Sequence, residues 1–160
     1  AVQSKNSAYI RLTGSSNNPI VYKNDYKFEI GKSIILREGE DITIFCSGSM
    51  VFQSLKAAEI LEKKSISAKV VNMHTIKPID KIAIEEACKT SLIVSVEEHN
   101  ILGGLGSAIA EHKSTLNSST KQIFLGIKDN YSKGGSYKFL QEKHGLTSDK
   151  ISEEILKNVK

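Results

Sequence analysis

Seventeen residues constrain the fold of this chain more than any others. Leu92-Ile93-Val94-Ser95-Val96 is a β-branched apolar run. It meets two carboxylates and a histidine, Glu97-Glu98-His99, then Asn100, and within six more residues the glycines Gly103, Gly104 and Gly106 open a helical pattern through Ala108. A strand, a polar tip, a glycine-rich turn and a helix N-terminus thus follow one another without a spacer. In open α/β sheets ligands and partners dock at such strand ends. The free N–H groups and positive dipole end of the helix that follows attract anions.

The remaining elements fit the same pattern. Ser33–Arg37 and Ile42–Cys46 read as strands joined by Glu38-Gly39-Glu40-Asp41. A loop this short predicts antiparallel pairing of the two. Val51, Leu55, Ala58 and Leu61 recur at helical spacing, with Leu55 expected in the core. Ala68–Met73 is a strand. Asp80 is placed to cap a helix whose buried side is Ile84, Ala87 and Cys88. After the strand at 92–97, Leu105, Ala108, Ile109 and His112 form one helical stripe. Residues 114–121 are loop-like and 122–127 form the last strand. Ser136 starts a helix that ends near His144, with Gly145 at its C′ position. Ser148 or Asp149 starts the final helix, with Ile151, Ile155 and Val159 inward. The order ββαβαβαβαα predicts an α/β fold: a three-layer α/β/α unit, its five-stranded mixed sheet holding four parallel strands and one antiparallel edge strand, 33–37. The boundaries expected are an extended N-terminal arm over 1–25 and a domain over 26–160.

Composition narrows the function. The 160 residues fit one domain. No apolar run approaches the roughly 20 residues that span a bilayer, and Ala1–Asn6 has no signal-peptide core, so no membrane partner is expected and the location expected is cytoplasmic. The chain begins without Met, and an excised or processed piece is expected. The net charge of +4 comes from dispersed lysines, which argues against nucleic acid as a partner. Two cysteines without metal spacing suit buried free thiols in a reducing compartment.

Three constellations could carry chemistry. Gly104-Leu105-Gly106-Ser107-Ala108-Ile109 has Ile where a dinucleotide fingerprint needs its third glycine, and the turn follows a late strand. Close packing of the helix on a strand, or of the turn on another chain, explains these glycines better than nucleotide binding. Ser47-Gly48-Ser49-Met50 could hold an anion on its amides, although helix capping by Ser47 or Ser49 is the simpler reading. His74 and His99, read as ends of neighbouring parallel strands, could form an acid/base pair or a metal half-site with Glu97 and Glu98. No His-x-x-x-His spacing supports a metal, and a structural or interface role is favoured.

The runs Phe28–Lys32, Leu36–Thr43, Val71–Asp80, Glu97–Asn100, Gly103–Ala108 and Gly126–Asp129 resemble the C-terminal domain of transketolases, in order, within a likeness that spans Ala8 to the end. The runs resemble in particular the C-terminal subunit of two-chain transketolases; 1-deoxyxylulose-5-phosphate synthase and the 2-oxo acid dehydrogenase E1 β-subunit share this domain, but His74 and the His99-Asn100 pair resemble transketolase more than either. The resemblance implies the same α/β/α unit. It implies a parent enzyme that moves a two-carbon ketol unit between sugar phosphates with thiamine diphosphate and Mg, held between pyrophosphate and pyrimidine domains that would lie outside this chain. It implies a last pyrimidine-domain strand near Tyr9–Leu12. Many members carry a phosphate-binding arginine just after that strand; the matching position is Gly14, with Arg11 three residues earlier.

The chain is therefore expected to hold no catalytic, cofactor or metal residue of its own. Its partners would be companion transketolase domains or an N-terminal subunit, and a second copy in a homodimer. Glu98, His99, Asn100, Gly103, Gly104 and Gly106 are the candidate interface or anion-contact residues. Bulk at Gly104 is expected to weaken association with modest loss of fold stability. The competing class is an autonomous anion- or nucleotide-binding module using Ser47–Met50 or Gly103–Gly106.

Overall fold

The computed structural model describes residues 4–10, 19–22 and 25–159. Arg11, Leu12 and Gly14 lie outside the described residues, and so does most of the turn-rich stretch before Pro19; Tyr9 and Ile10 are not in a strand. The elements are β1 (Ile34–Arg37), β2 (Ile42–Cys46), α1 (Met50–Glu62), β3 (Ala68–Asn72), α2 (Lys81–Ala87), β4 (Leu92–Asn100), α3 (Leu105–Lys113), β5 (Lys121–Ile127), α4 (Tyr137–Lys143) and α5 (Ser148–Leu156).

They build one five-stranded sheet in the order β1-β3-β2-β4-β5. The four inner and right-hand strands are parallel, and β1 runs antiparallel to β3 at the edge. The mixed sheet is the one the element order predicts. The pairing of β1 is not: its neighbour is β3, which inserts between β1 and β2. The four-residue connection therefore strides across the start of β3 instead of closing a hairpin. At Gly39 a Cβ would fall onto the backbone of Ala68 and Lys69, so only glycine passes there. Asp41 fastens the crossing: its N–H donates to Ser67 O at 2.9 Å and its carboxylate accepts from Ser67 N at 2.6 Å. Its carbonyl accepts from Ser91 N at 2.8 Å, just before β4.

Strand β2 is buried along its whole length, as expected of a parallel strand covered on both faces. Its side chains alternate between two cores. Ile42, Ile44 and Cys46 join α1 and α5 through Met50, Val51, Leu61, Ile151 and Ile155, while Phe45 joins α2 and α3 through Ile84, Ala87, Leu105 and Ile109. These are the two outer layers. Leu55 only flanks the first core, whereas Leu61 lies fully within it. The helix starts follow local chemistry. Asp80 accepts from Ala83 N and Ser136 from Phe139 N, both at 3.3 Å. Helix α5 begins at Ser148, as expected, with Thr147 at its N-cap and no side-chain capping bond. Gly145 takes a φ of +71° just after α4, the left-handed turn that suits glycine.

Asp80 also holds the entry to β1, because its carboxylate accepts from Ser33 N at 2.8 Å and Ser33 Oγ at 3.0 Å. Burial works to raise its pKa, but the amides of Ser33 and Ala83, the Ser33 hydroxyl and the charge of Lys32 outweigh it and hold the carboxyl below its ordinary value. A depressed folded pKa contributes stability that is complete above the unfolded value and is lost as pH falls through the folded one. Asp80→Asn should therefore be less stable than wild type at neutral pH, the gap closing below about pH 4. Urea titrations at a series of pH values check this. In the same assay Leu61→Ala should cost about 2–5 kcal/mol and Leu55→Ala less.

Candidate functional site

The order of strands creates one topological switch. From β2 the chain crosses through α1 to β3 on one side, whereas β4 lies on the other side of β2. Helices α1 and α3, which follow β2 and β4, pack in opposite layers. The chain thus diverges at the C-terminal ends of β2 and β4, where open sheets form their crevice. The segments that meet there are Ser47–Ser49 and Glu97–Gly106, both marked in the sequence.

Glu97 organises the second of them. It is 2% exposed, and its carboxylate accepts from Leu105 N at 2.7 Å and Gly106 N at 2.8 Å. Those are the first two amides of α3, so a side chain from β4 does the capping that Gly104, at the N-cap, cannot. The negative charge also faces the positive end of the helix. The glycines make this approach possible. A Cβ on Gly104 would land on the Glu97 carboxylate and against the His99 ring; one on Gly106 would strike Phe124 and Ser95 Oγ. Gly103 meets nothing but has a φ of +76°. Helix-on-strand packing explains the buried pair, and Glu97 occupies the first two amides of the helix. The expectation that bulk at Gly104 acts mainly on association is thereby corrected, since its first cost falls on the fold.

The exposed neighbours divide the work. Glu98 accepts from Ser49 Oγ in a very close contact and from Tyr137 O–H at 2.9 Å. Ser49 is the N-cap of α1, yet its hydroxyl makes no capping bond; the expected capping gives way to a link between two strand ends. Burial raises the Tyr137 pKa; a bond from Ser49 works against this, and the Glu98 carboxylate adds to it. His99 Nδ1 lies 2.7 Å from the Asn100 carbonyl and 3.9 Å from Glu97. Asn100 Nδ2 donates to Asp129 at 3.0 Å, and its Oδ1 accepts from Leu102 N at 2.8 Å. Glu98, His99, Asn100, Gly103, Gly104 and Gly106 therefore share one end of the sheet.

His74 does not join them. Strand β2 separates β3 from β4, so His74 and His99 do not end neighbouring strands, which corrects the expected pairing. His74 instead lies against Phe28, ring centroids 4.6 Å apart, and neither ring nitrogen has a hydrogen-bond partner. His112 pairs with Glu85 at 3.2 Å, bridging α3 to α2. Among the described residues no three His, Cys, Asp or Glu side chains are grouped to hold a metal. Burial pushes the Cys46 thiol up to about 12, so it is no ready nucleophile. Sequence reasoning missed Tyr137, whose place at the site depends on α4 folding back over 39 residues.

With this geometry in view, residues 31–151 match the family described as transketolase, C-terminal domain. The chain belongs to that family. It is 38% identical over 158 residues to a transketolase C-terminal section from Methanocaldococcus jannaschii, covering 98% of this chain and 49% of that protein. It is 39% identical over 149 residues to 1-deoxy-D-xylulose-5-phosphate synthase of Dictyoglomus turgidum, covering 92% of this chain and 24% of that one. The fold superimposes with a TM-score of 0.79 and 37% identity on a split-gene transketolase solved as an inactive β4 tetramer, over 87% of this chain and 45% of that one. The chain spans about half the length of the first of these relatives and a quarter of the second. It is a transketolase C-terminal domain with the mixed sheet of its structural neighbour, and no helix among the described residues is long and apolar enough to cross a membrane.

Replacing Glu97 by Gln keeps the shape but turns the donor NH2 of a carboxamide toward one of two buried amides. The expected loss is about 2–4 kcal/mol, since hydrogen bonds to a charged acceptor are strong and an unpaired buried donor is costly. Denaturant unfolding measures it. Gly104→Ala should lose a comparable amount, and Gly103→Ala less.

Proposed function

We propose that this chain is the non-catalytic C-terminal section of a thiamine-diphosphate-dependent, transketolase-like enzyme. It acts in the cytoplasm through companion domains or an N-terminal subunit, and its parent transfers a two-carbon ketol unit between sugar phosphates. The carrying observation is that the glycine turn, the best anion site the sequence offers, has its leading amides satisfied internally by Glu97. Thiamine diphosphate and Mg, which the family implies, do not fit the described residues: Glu97 takes the first two amides of α3 and sets a negative charge where a diphosphate would bind, and among the described residues no carboxylate group is assembled for a cation. The strand-end surface of Glu98, His99 and Asn100 then serves assembly, including pairing with a second copy. The split-gene relatives support this reading, because they carry the same domain as a section or subunit. A second reading keeps the domain role and makes the parent a 1-deoxyxylulose-5-phosphate synthase, on the strength of the 39% identity to that enzyme.

Calorimetry and turnover test the proposal. The chain alone should show no binding of thiamine diphosphate with magnesium, of nucleotides or of sugar phosphates. Joined to the missing domains, as a separate chain or in one polypeptide, it should form an active complex. Micromolar binding of any of these ligands by the chain alone would overturn it. In the active complex His99→Ala should retain turnover within about tenfold, a difference near 1.4 kcal/mol; a thousandfold loss would make His99 part of the chemistry. Ketol transfer between sugar phosphates, against formation of 1-deoxyxylulose 5-phosphate, separates the two parents.

A further inference from the structure

This chain's own C-terminal region reaches the switch crevice between β2 and β4 through Tyr137. Every residue from Lys128 to Phe139 is exposed, and α4 buries none of its residues. Tyr131, Tyr137 and Phe139 present large side chains to solvent from this stretch. The segment is fixed at both ends. Asp129 is held by Asn100 Nδ2 at 3.0 Å. Leu146 is 2% exposed within the α1–α5 core, and Ser148 N donates to Gln53 Oε1 at 2.9 Å. Between these anchors, among the described residues, the side chain that reaches the strand ends is Tyr137, whose O–H donates to Glu98 and which also bonds with Ser49. Gln141 Nε2 supports the phenol at 3.1 Å. The other side-chain bonds of the segment stay within it or reach only its own anchor, as in Ser132 to His144 at 2.8 Å and Thr147 to Glu142 at 3.2 Å. Gly134 has open space around it, and Gly145 takes a left-handed φ of +71°.

A segment with no fully buried residue, whose Tyr137 and Phe139 are about half exposed, has only a small hydrophobic term to hold it down. Its position then rests on polar bonds, each worth little net in contact with water. We propose that residues 130–145 form a strap, closed over the crevice between β2 and β4 by the latch Tyr137–Glu98–Ser49, and that this strap opens while the sheet stays folded. The latch joins the α4 segment to both sides of the crevice, because Glu98 ends β4 and Ser49 follows β2. Opening removes Tyr137 from the bonded Ser49–Glu98 pair, so the surface at the switch point differs between the two states. This holds whichever parent enzyme the domain serves.

Hydrogen exchange followed by mass spectrometry tests the strap on the folded chain. In wild type the α4 amides, including Leu140 N and His144 N with their helical acceptors, should exchange far faster than those of β2 and β4. Tyr137→Phe removes one hydrogen bond to a charged acceptor, and Glu98→Ala removes the hub. Each should speed α4 exchange by roughly three- to tenfold, with β2 and β4 unchanged. Tyr137→Phe keeps the Ser49–Glu98 bond and so remains informative should Glu98→Ala fold poorly. The proposal fails if α4 is as protected as β4 in wild type, if neither variant changes its exchange, or if β2 and β4 accelerate in step with it.

Discussion

The end of the sheet is organised by one buried carboxylate. Glu97 leaves β4 and closes on the first two amides of α3, at 2.7 and 2.8 Å. Without a compensating partner a buried carboxylate is costly; with two amides and a helix dipole it becomes a clamp. The clamp sets how closely α3 approaches the sheet, and that distance leaves no room for a Cβ at Gly104 or Gly106. The glycine-rich turn is therefore the imprint of an internal contact. The same chemistry that binds phosphate elsewhere, amides at a helix start, is satisfied here by the chain itself.

This arrangement separates structure from surface along four consecutive residues. Glu97 points into the turn, while Glu98, His99 and Asn100 stay toward solvent. A register shift in the β4–β5 pairing between Val96 and Asn100 accompanies the change, as bulges do where a strand must re-aim its side chains. The crevice that open sheets offer to ligands is thus framed by groups that bond to one another. Ser49, Glu98 and Tyr137 link three segments that are far apart in sequence. That network suits a domain which meets other protein surfaces, and it agrees with relatives that carry the domain as one section of a longer enzyme.

The local chemistry of the chain was largely legible. Asp80 and Ser136 cap the helices they precede, β2 begins and ends where its apolar run does, and Ile151 and Ile155 face inward. These outcomes depend on a few neighbouring residues and on periodicity, which sequence expresses directly. The glycine turn was legible as packing rather than nucleotide binding, because Ile109 breaks the fingerprint.

What sequence alone determined is the class: alternating strands and helices, an antiparallel edge, and a glycine turn bound to helix packing. What tertiary structure decided is adjacency. The short loop from β1 to β2 suggested a hairpin, but β3 is parallel to β2 and inserts between them, and β1 then satisfies the outer backbone edge of the largely buried β3. The same insertion moved His74 away from His99. The partners of Ser49 and Glu98 were equally invisible, since α4 reaches them only after the chain has folded around the whole sheet. Local propensity is written in adjacent residues, whereas contacts between distant segments are fixed by which surfaces must be buried together.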